Sequence, residues 1–206
     1  MYLAKQKINE LIKNRDLVVE PLLEPDAQIG ETSIDFRLGL EYLVSIQGRS
    51  AYLDASYGNT SYNIESSFQY TRRNIGEPFL IHPGQIVLAV SLEYVKLPNE
   101  IGLNLTMRSS YSRMGLLMST FVQPGYCGCL SIEILNSSKS VIKLVAGARL
   151  IQGRLFSFEE KTDYNASPRK YFCTIKPSVS RIREEKDMEK LDKIFRYDNH
   201  VDENSF

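Results

Sequence analysis

The feature that most restricts the fold is a succession of short runs rich in β-branched and aromatic residues, each closed by a turn signal. They read "LVVEPL", "SIDFRLG", "EYLVSI", "PFLI", "QIVLAVSLEYVKL", "IGLNLTM", "LSIEIL", "SVIKLV" and "RLIQGRLFSF". The punctuation between them is "HPGQ", "LPNE", "QPGYCG", "NSSKS" and "VAGAR", whose glycines, prolines and short polar residues set turn geometry. Many short strands at this spacing predict an all-β barrel or sandwich with one or two peripheral helices. One helix is expected over "AKQKINELIKNRD", where Ile8, Leu11 and Ile12 fall on one face. Residues 48–77, polar and tyrosine-rich, read as a long surface excursion.

Composition narrows the function classes. Lys plus Arg and Asp plus Glu are balanced at 25 each, so no overall charge draws the chain to nucleic acid or to a membrane surface, and any anion must be held locally. The first residues carry charges every few positions and no stretch has the length of a membrane span, which predicts a soluble, cytoplasmic protein. The 206 residues suit one domain with appendages. Three cysteines, Cys127, Cys129 and Cys173, suit a reducing compartment better than a disulfide framework. In a strand, Cys127 and Cys129 share a face, and they read as small apolar fillers rather than half a metal site. Only two histidines are present, His82 and His200, and His82, before a Pro-Gly turn, reads as a loop residue; the chain is poor in zinc ligands.

The character changes near residue 159. Three parts are expected: residues 1–158 as a barrel with its N-terminal helix, 159–182 as a loosely patterned segment, and 183–206 as a charged helical tail. In that tail Met188, Leu191 and Phe195 form one narrow stripe. Packing on the body and binding a partner both fit it.

Two places carry chemistry. In "MRSSYSRMGL", Arg108, Ser109, Ser110, Ser112 and Arg113 combine fixed positive charge with hydroxyls, the groups that hold phosphate oxygens through charge-assisted hydrogen bonds. An exposed turn with a salt bridge has the same composition. In "GCLSIEILNSS", Glu133 takes one face of an alternating strand. It reads either as a solvent-facing carboxylate or as a general base tuned by burial and a nearby arginine.

Taken in order, "IGETSIDFRLG", "FLIHPGQIVLAVSLEYVKLP", "RSSYSRMGL", "PGYCGCLSIEILN" and "IKLVAGARLIQGRLF" resemble the metal-free dCTP deaminases, which share a fold with trimeric dUTPases. The resemblance runs from the N-terminal helix to about residue 182. It implies a mainly β, dUTPase-like distorted barrel, with an N-terminal helix and a charged C-terminal helix, assembled as a homotrimer with nucleotide sites between subunits. By position, Ser109, Arg113 and Glu133 match the family's catalytic residues. Arg108 and Ser110 match residues that meet the triphosphate, Gln123 falls in the substrate pocket, and Lys170 and Tyr171 match part of a segment, residues 159–182, that is implied to close over the active site. The implied substrate is dCTP accompanied by Mg2+, with no zinc and no metal at the base. The implied reaction is deamination to dUTP and ammonia, with a water activated by Glu133.

The chain also departs from that pattern. Met107 stands where the family usually has glycine, Gln123-Pro124-Gly125 replaces Asp-Pro-Gly, and "MGLLMSTFVQPG" is a shorter connection than usual. Thr174 and Lys176 stand where a glutamine and a glycine are common, while the spacing to Ser180 and Arg181 is kept. An amide at 123 cannot take a proton from water as an aspartate does, which weighs against a dUTP diphosphatase. A nucleotide-binding sensor of the same fold is the alternative outside enzymes, although such a role needs no base at Glu133.

Overall fold

The computed structural model describes residues 1–46, 53, 64–162, 170, 171, 173–182, 190, 191, 193 and 194. By compactness the chain divides into two units, residues 1–46 with 68–178 and residues 47–67 with 179–206. In the second, Ile64–Ser67 form a 3-10 turn and Lys190, Leu191, Lys193 and Ile194 are helical. Met188 and Phe195, the rest of the expected tail stripe, lie outside the described residues.

The first unit is mainly β, as the run pattern predicts. Its elements are α1 (Lys5–Lys13), β1 (Val18–Glu20), α2 (Pro25–Gln28), β2 (Ile34–Ser45), β3 (Phe68–Arg72), β4 (Pro78–Ile81), β5 (Ile86–Lys96) and β6 (Ile101–Met107). They continue with α3 (Ser109–Ser112), β7 (Leu116–Leu117), β8 (Ser119–Val122), β9 (Cys127–Asn136), β10 (Ile142–Val145) and β11 (Arg149–Ser157). The main sheet runs β7-β9-β5-β2-β11-β6-β8, with β1 also on β5 and β3 on β2, while β4 and β10 form a separate pair. Among the described residues all the strand pairings are antiparallel.

The alternation in sequence becomes the inside and outside of this curved sheet. Ile34, Phe36 and Leu38 of β2, Leu103, Leu105 and Met107 of β6, and Leu130, Ile132 and Ile134 of β9 all enter one core, because a period of two sends every second side chain the same way. Ile8 and Leu11 of α1 join that core, as their spacing predicts. Burying about thirty such side chains supplies the main driving force for collapse, on the order of 1.5–3 kcal/mol for each one fully buried.

Two readings change at this level. "SIDFRLG" and "EYLVSI" are not separate strands but one, β2, whose pairing with β5 shifts register between Leu38 and Tyr42. Gly39 stands at that shift, and a Cβ there would lie 2.5 Å from the Val90 carbonyl oxygen, so only glycine lets the strands cross this closely. The excursion is also shorter than 48–77. "FQYTR" is β3, paired with β2 from Glu41↔Arg72 to Ser45↔Phe68, and its polar outer face hid it from a search for hydrophobic alternation.

Polar groups inside the barrel are held by specific bonds. Glu93 of β5 is 0% exposed; its carboxylate accepts hydrogen bonds from the Arg37 amide at 2.9 and 3.2 Å and from Gln28 Nε2 at 3.0 Å. Asn136, also fully buried, donates to the carbonyls of Ile81 and Ser140 and accepts from Ser138, which pins the end of β9 to the following turn. Unpartnered, either group would cost several kcal/mol. No helix among the described residues is long and apolar enough to cross a membrane.

Candidate active site

β6 runs out at Met107, and the chain turns at Arg108 into the single helical turn α3. The Met107 side chain is in the core at 6% exposure, so its bulk lies inside the barrel. Arg108 is extended, and its carbonyl accepts from the amides of Tyr111 and Ser112. Its guanidinium is held from behind: Nε lies 3.0 Å from Asp35 Oδ2, and an Nη donates to the Arg149 carbonyl at 2.9 Å. Burial pushes the Asp35 carboxyl above its ordinary range, and the charges of Arg108 and Arg149 with a hydrogen bond from Gln152 draw it back down. Ser109, Ser110 and Arg113 are exposed on this turn. Among the described residues Ser109 and Ser110 make no side-chain hydrogen bond and Arg113 no ion pair, which leaves a cationic, hydroxyl-rich corner at the surface.

Glu133 sits elsewhere on the barrel. On β9 the even-numbered residues 128–136 are buried, so Glu133 faces outward and is exposed. Of the two readings open from the sequence, strand parity in the single chain supports the solvent-facing carboxylate rather than a buried one. Its Oε2 accepts a hydrogen bond from Thr120 Oγ1 at 2.8 Å. Thr120 belongs to β8, the last strand on the sheet path, whereas β9 lies near the other end. The side-chain bond thus spans the seam where the barrel meets itself without a β8-β9 ladder.

The two places are neighbours along the sheet. Thr120 pairs with Leu105, three residues before Arg108, a distance of roughly 10 Å in a strand. Among the described residues no ion pair or hydrogen bond joins Arg113 to Glu133, whose Oε2 is bonded to Thr120. Gln123 is exposed just beyond β8, and its carbonyl accepts the Tyr126 amide in the turn through Pro124 and Gly125.

Lys170 and Tyr171 stand in a turn, with the Tyr171 carbonyl accepting from Thr174 Oγ1 at 2.9 Å. The next residues dock on the start of β9: the Cys173 amide donates to the Cys127 carbonyl at 2.9 Å and the Cys129 amide to the Thr174 carbonyl at 2.8 Å. Lys176 comes within 4.0 Å of Glu41 on β2. Both departures in this segment, Thr174 and Lys176, therefore have structural contacts. The docking point is about 13 Å along β9 from Glu133, four residues away. Cys127 and Cys129 share the outward face of β9 as their spacing predicts, but half-buried rather than as core fillers.

Sequence reasoning did not single out Thr120 or Asp35. Asp35 belongs to "SIDFRLG", and its alternation with Ile34 and Phe36 marks it as the odd carboxylate in an apolar strand. Thr120 had no such signal, because β8 is four residues long and its importance comes from where the sheet ends.

A family model described as dCTP deaminase-like matches residues 2–158. Among curated proteins, the chain is 31% identical over 189 residues to a dUMP-forming dCTP deaminase of Dictyoglomus turgidum, covering 88% of this chain and 95% of that one. It is 34% identical over 185 residues to a dUMP-forming dCTP deaminase of Nanoarchaeum equitans, covering 84% and 92%. Among solved structures, the 2'-deoxycytidine 5'-triphosphate deaminase of Agrobacterium tumefaciens superposes with a TM-score of 0.57 at 21% identity, over 75% of this chain and 47% of that longer one. At that identity the superposition speaks for the fold.

Proposed function

The chain belongs to the dCTP deaminase-like family, and from that premise we propose that it hydrolyses the exocyclic amine of dCTP, with Glu133 as the proton carrier. The observation that carries this reading is the carboxylate of Glu133, anchored through one oxygen by Thr120 at 2.8 Å and exposed at the barrel seam. The anchor fixes the group's orientation and leaves Oε1 to meet a water.

In the proposed reaction Glu133 takes a proton from a water positioned by the Ser109 hydroxyl. As the hydroxide adds to C4 of cytosine, the carboxyl passes that first proton to N3. The carboxylate then takes the proton of the new C4 hydroxyl and hands it to the amino group, the C–N bond breaks, and ammonia leaves with the uracil carbonyl formed. Arg108, held by Asp35, and Ser110 bind the triphosphate. Arg113 steers the carboxylate, Gln123 contacts the base, and Lys170 and Tyr171 close over the nucleotide. Guanidinium and hydroxyl donors suit phosphate oxygens and not a bare cation, so magnesium enters as part of the substrate, on the triphosphate. Because one chain leaves Arg113 apart from Glu133, the proposal includes a homotrimer whose sites are completed between subunits. A cytoplasmic location and the division at residues 158 and 182 belong to the same reading.

The product is dUTP in this proposal, since the amide of Gln123 cannot activate a water for attack on phosphorus. Release of dUMP and pyrophosphate is the second reading, favoured by the names of the two curated relatives. Incubation with Mg2+ and dCTP, following ammonia, dUTP, dUMP and pyrophosphate beside Glu133→Gln, tests both. Wild type is expected to release ammonia and dUTP in equal amounts, with Glu133→Gln slower by about a hundredfold or more. Equal ammonia, dUMP and pyrophosphate would establish the second reading. Binding of dCTP with no release of ammonia would reject the deaminase and leave a nucleotide-binding sensor.

A further inference from the structure

Two of the three cysteines, 46 positions apart, meet at the start of β9. Cys127 Sγ and Cys173 Sγ are 2.7 Å apart, well inside the contact distance of two sulfurs and about 0.7 Å beyond the length of a covalent S–S bond. The approach is set by backbone on both sides. The Cys173 amide donates to the Cys127 carbonyl and the Cys129 amide to the Thr174 carbonyl, so residues 173–174 are fastened along 127–129 before any sulfur chemistry. Gly128 lies between the two β9 cysteines at φ +138°, and a Cβ there would stand 2.8 Å from the Thr174 carbonyl oxygen and 3.0 Å from its amide. The missing side chain is what admits the segment. Cys173 itself adopts φ 55°, a left-handed conformation uncommon for a residue with a side chain and found where surrounding contacts enforce it.

We propose that Cys127 and Cys173 are a redox site, converted to an intramolecular disulfide that tethers the segment carrying Lys170 and Tyr171 to β9. Cys127 begins the exchange. Its sulfur lies 2.7 Å from Cys173 Sγ, so a mixed disulfide formed on Cys127 is met directly by the second sulfur. The Cys127 thiolate attacks one sulfur of a small-molecule disulfide and expels one small thiol, leaving a mixed disulfide on Cys127. The Cys173 thiol then gives up its proton, its sulfur attacks the Cys127 sulfur, and the second small thiol leaves. Two protein thiols are oxidised and one small disulfide is reduced, with no other reactant. Only the functional name of the tethered segment rests on the deaminase reading.

The full chain is treated with oxidised glutathione, alkylated and digested with trypsin without reductant. The thiol count is expected to fall from three to one, with a single cross-link joining peptide 114–139, which holds Cys127 and Cys129, to peptide 171–181, which holds Cys173. The cross-link should persist in Cys129→Ser, vanish in Cys127→Ser and Cys173→Ser, and be undone by dithiothreitol. Cross-linking that survives Cys127→Ser and is lost in Cys129→Ser would overturn the pairing. So would three free thiols after oxidation, or a disulfide only between chains. No nucleotide turnover enters the readout, so failure here is distinct from failure of the deaminase reading.

Discussion

Glu93 shows how one buried group couples this fold to pH. Burial pushes its carboxyl up to about 7 from an ordinary 4.5, against the opposing hydrogen bonds from the Arg37 amide and Gln28 and the charge of Arg37. Because the folded state holds the proton more tightly than the unfolded chain, the group adds stability that is fully present below about pH 4.5 and lost as pH rises through about 7. Between about pH 8 and pH 5 the wild type is expected to gain roughly 2 to 3 kcal/mol on Glu93→Gln, measured by urea unfolding of both proteins at each pH. A difference that does not change with pH would mean that Glu93 stays in one protonation state. At this scale legibility from sequence was uneven. The parity that aims Glu133 outward is a local property of "LSIEIL" and can be read directly. The sulfur pair and the Thr120 anchor depend on where distant segments arrive, which no local period encodes.

Among the elements, β2 bears the most structure. It pairs with β11 through its first half, with β5 through its second and with β3 along its outer edge, so its break in register at Gly39 turns the chain from one part of the sheet to the other. A methyl at Gly39 meets backbone, not a movable side chain. Gly39→Ala is therefore expected to lower the unfolding free energy by about 1 to 3 kcal/mol, read as a lower urea midpoint with unchanged slope. An unchanged midpoint would show that β5 can shift to make room. The strand was divided in sequence because glycine followed by Leu40 and Glu41 looks like an ending. β3 escapes for a different reason, since the aromatic face of "FQYTR" is only Phe68 and an exposed Tyr70, too short a pattern to mark a strand that is ordered by its partner.

For the whole molecule, the question is whether one chain suffices. The outer side of β6, β8 and β11 carries a chain of rings, Tyr2 on Phe156, Phe156 on Phe121 and on Phe158, with centroids 6.0, 5.5 and 5.3 Å apart. Tyr2, Phe121 and Phe158 are substantially exposed, an apolar surface of the kind that assembly covers. Sedimentation equilibrium is expected to return three times the chain mass, and dilution into a monomer should abolish dCTP turnover. A monomer that stays active would refute sites shared between subunits. The mainly β class and most of the strands along the chain were open to a reading of the chain alone, whereas the closed barrel and the oligomeric contacts have no period and were expected only from the resemblance.

The hairpin of β2 and β3 has one more consequence. Ser45 and Phe68 face each other in register, so the barrel is already clamped at the point where the intervening stretch leaves and returns. The five registered positions from Glu41↔Arg72 to Ser45↔Phe68 bring the two ends together by themselves, so a flexible linker that an engineer spliced in between Ser45 and Phe68 would add only the slow logarithmic cost of a longer connection, about 0.6 kcal/mol for each doubling of the linker's length.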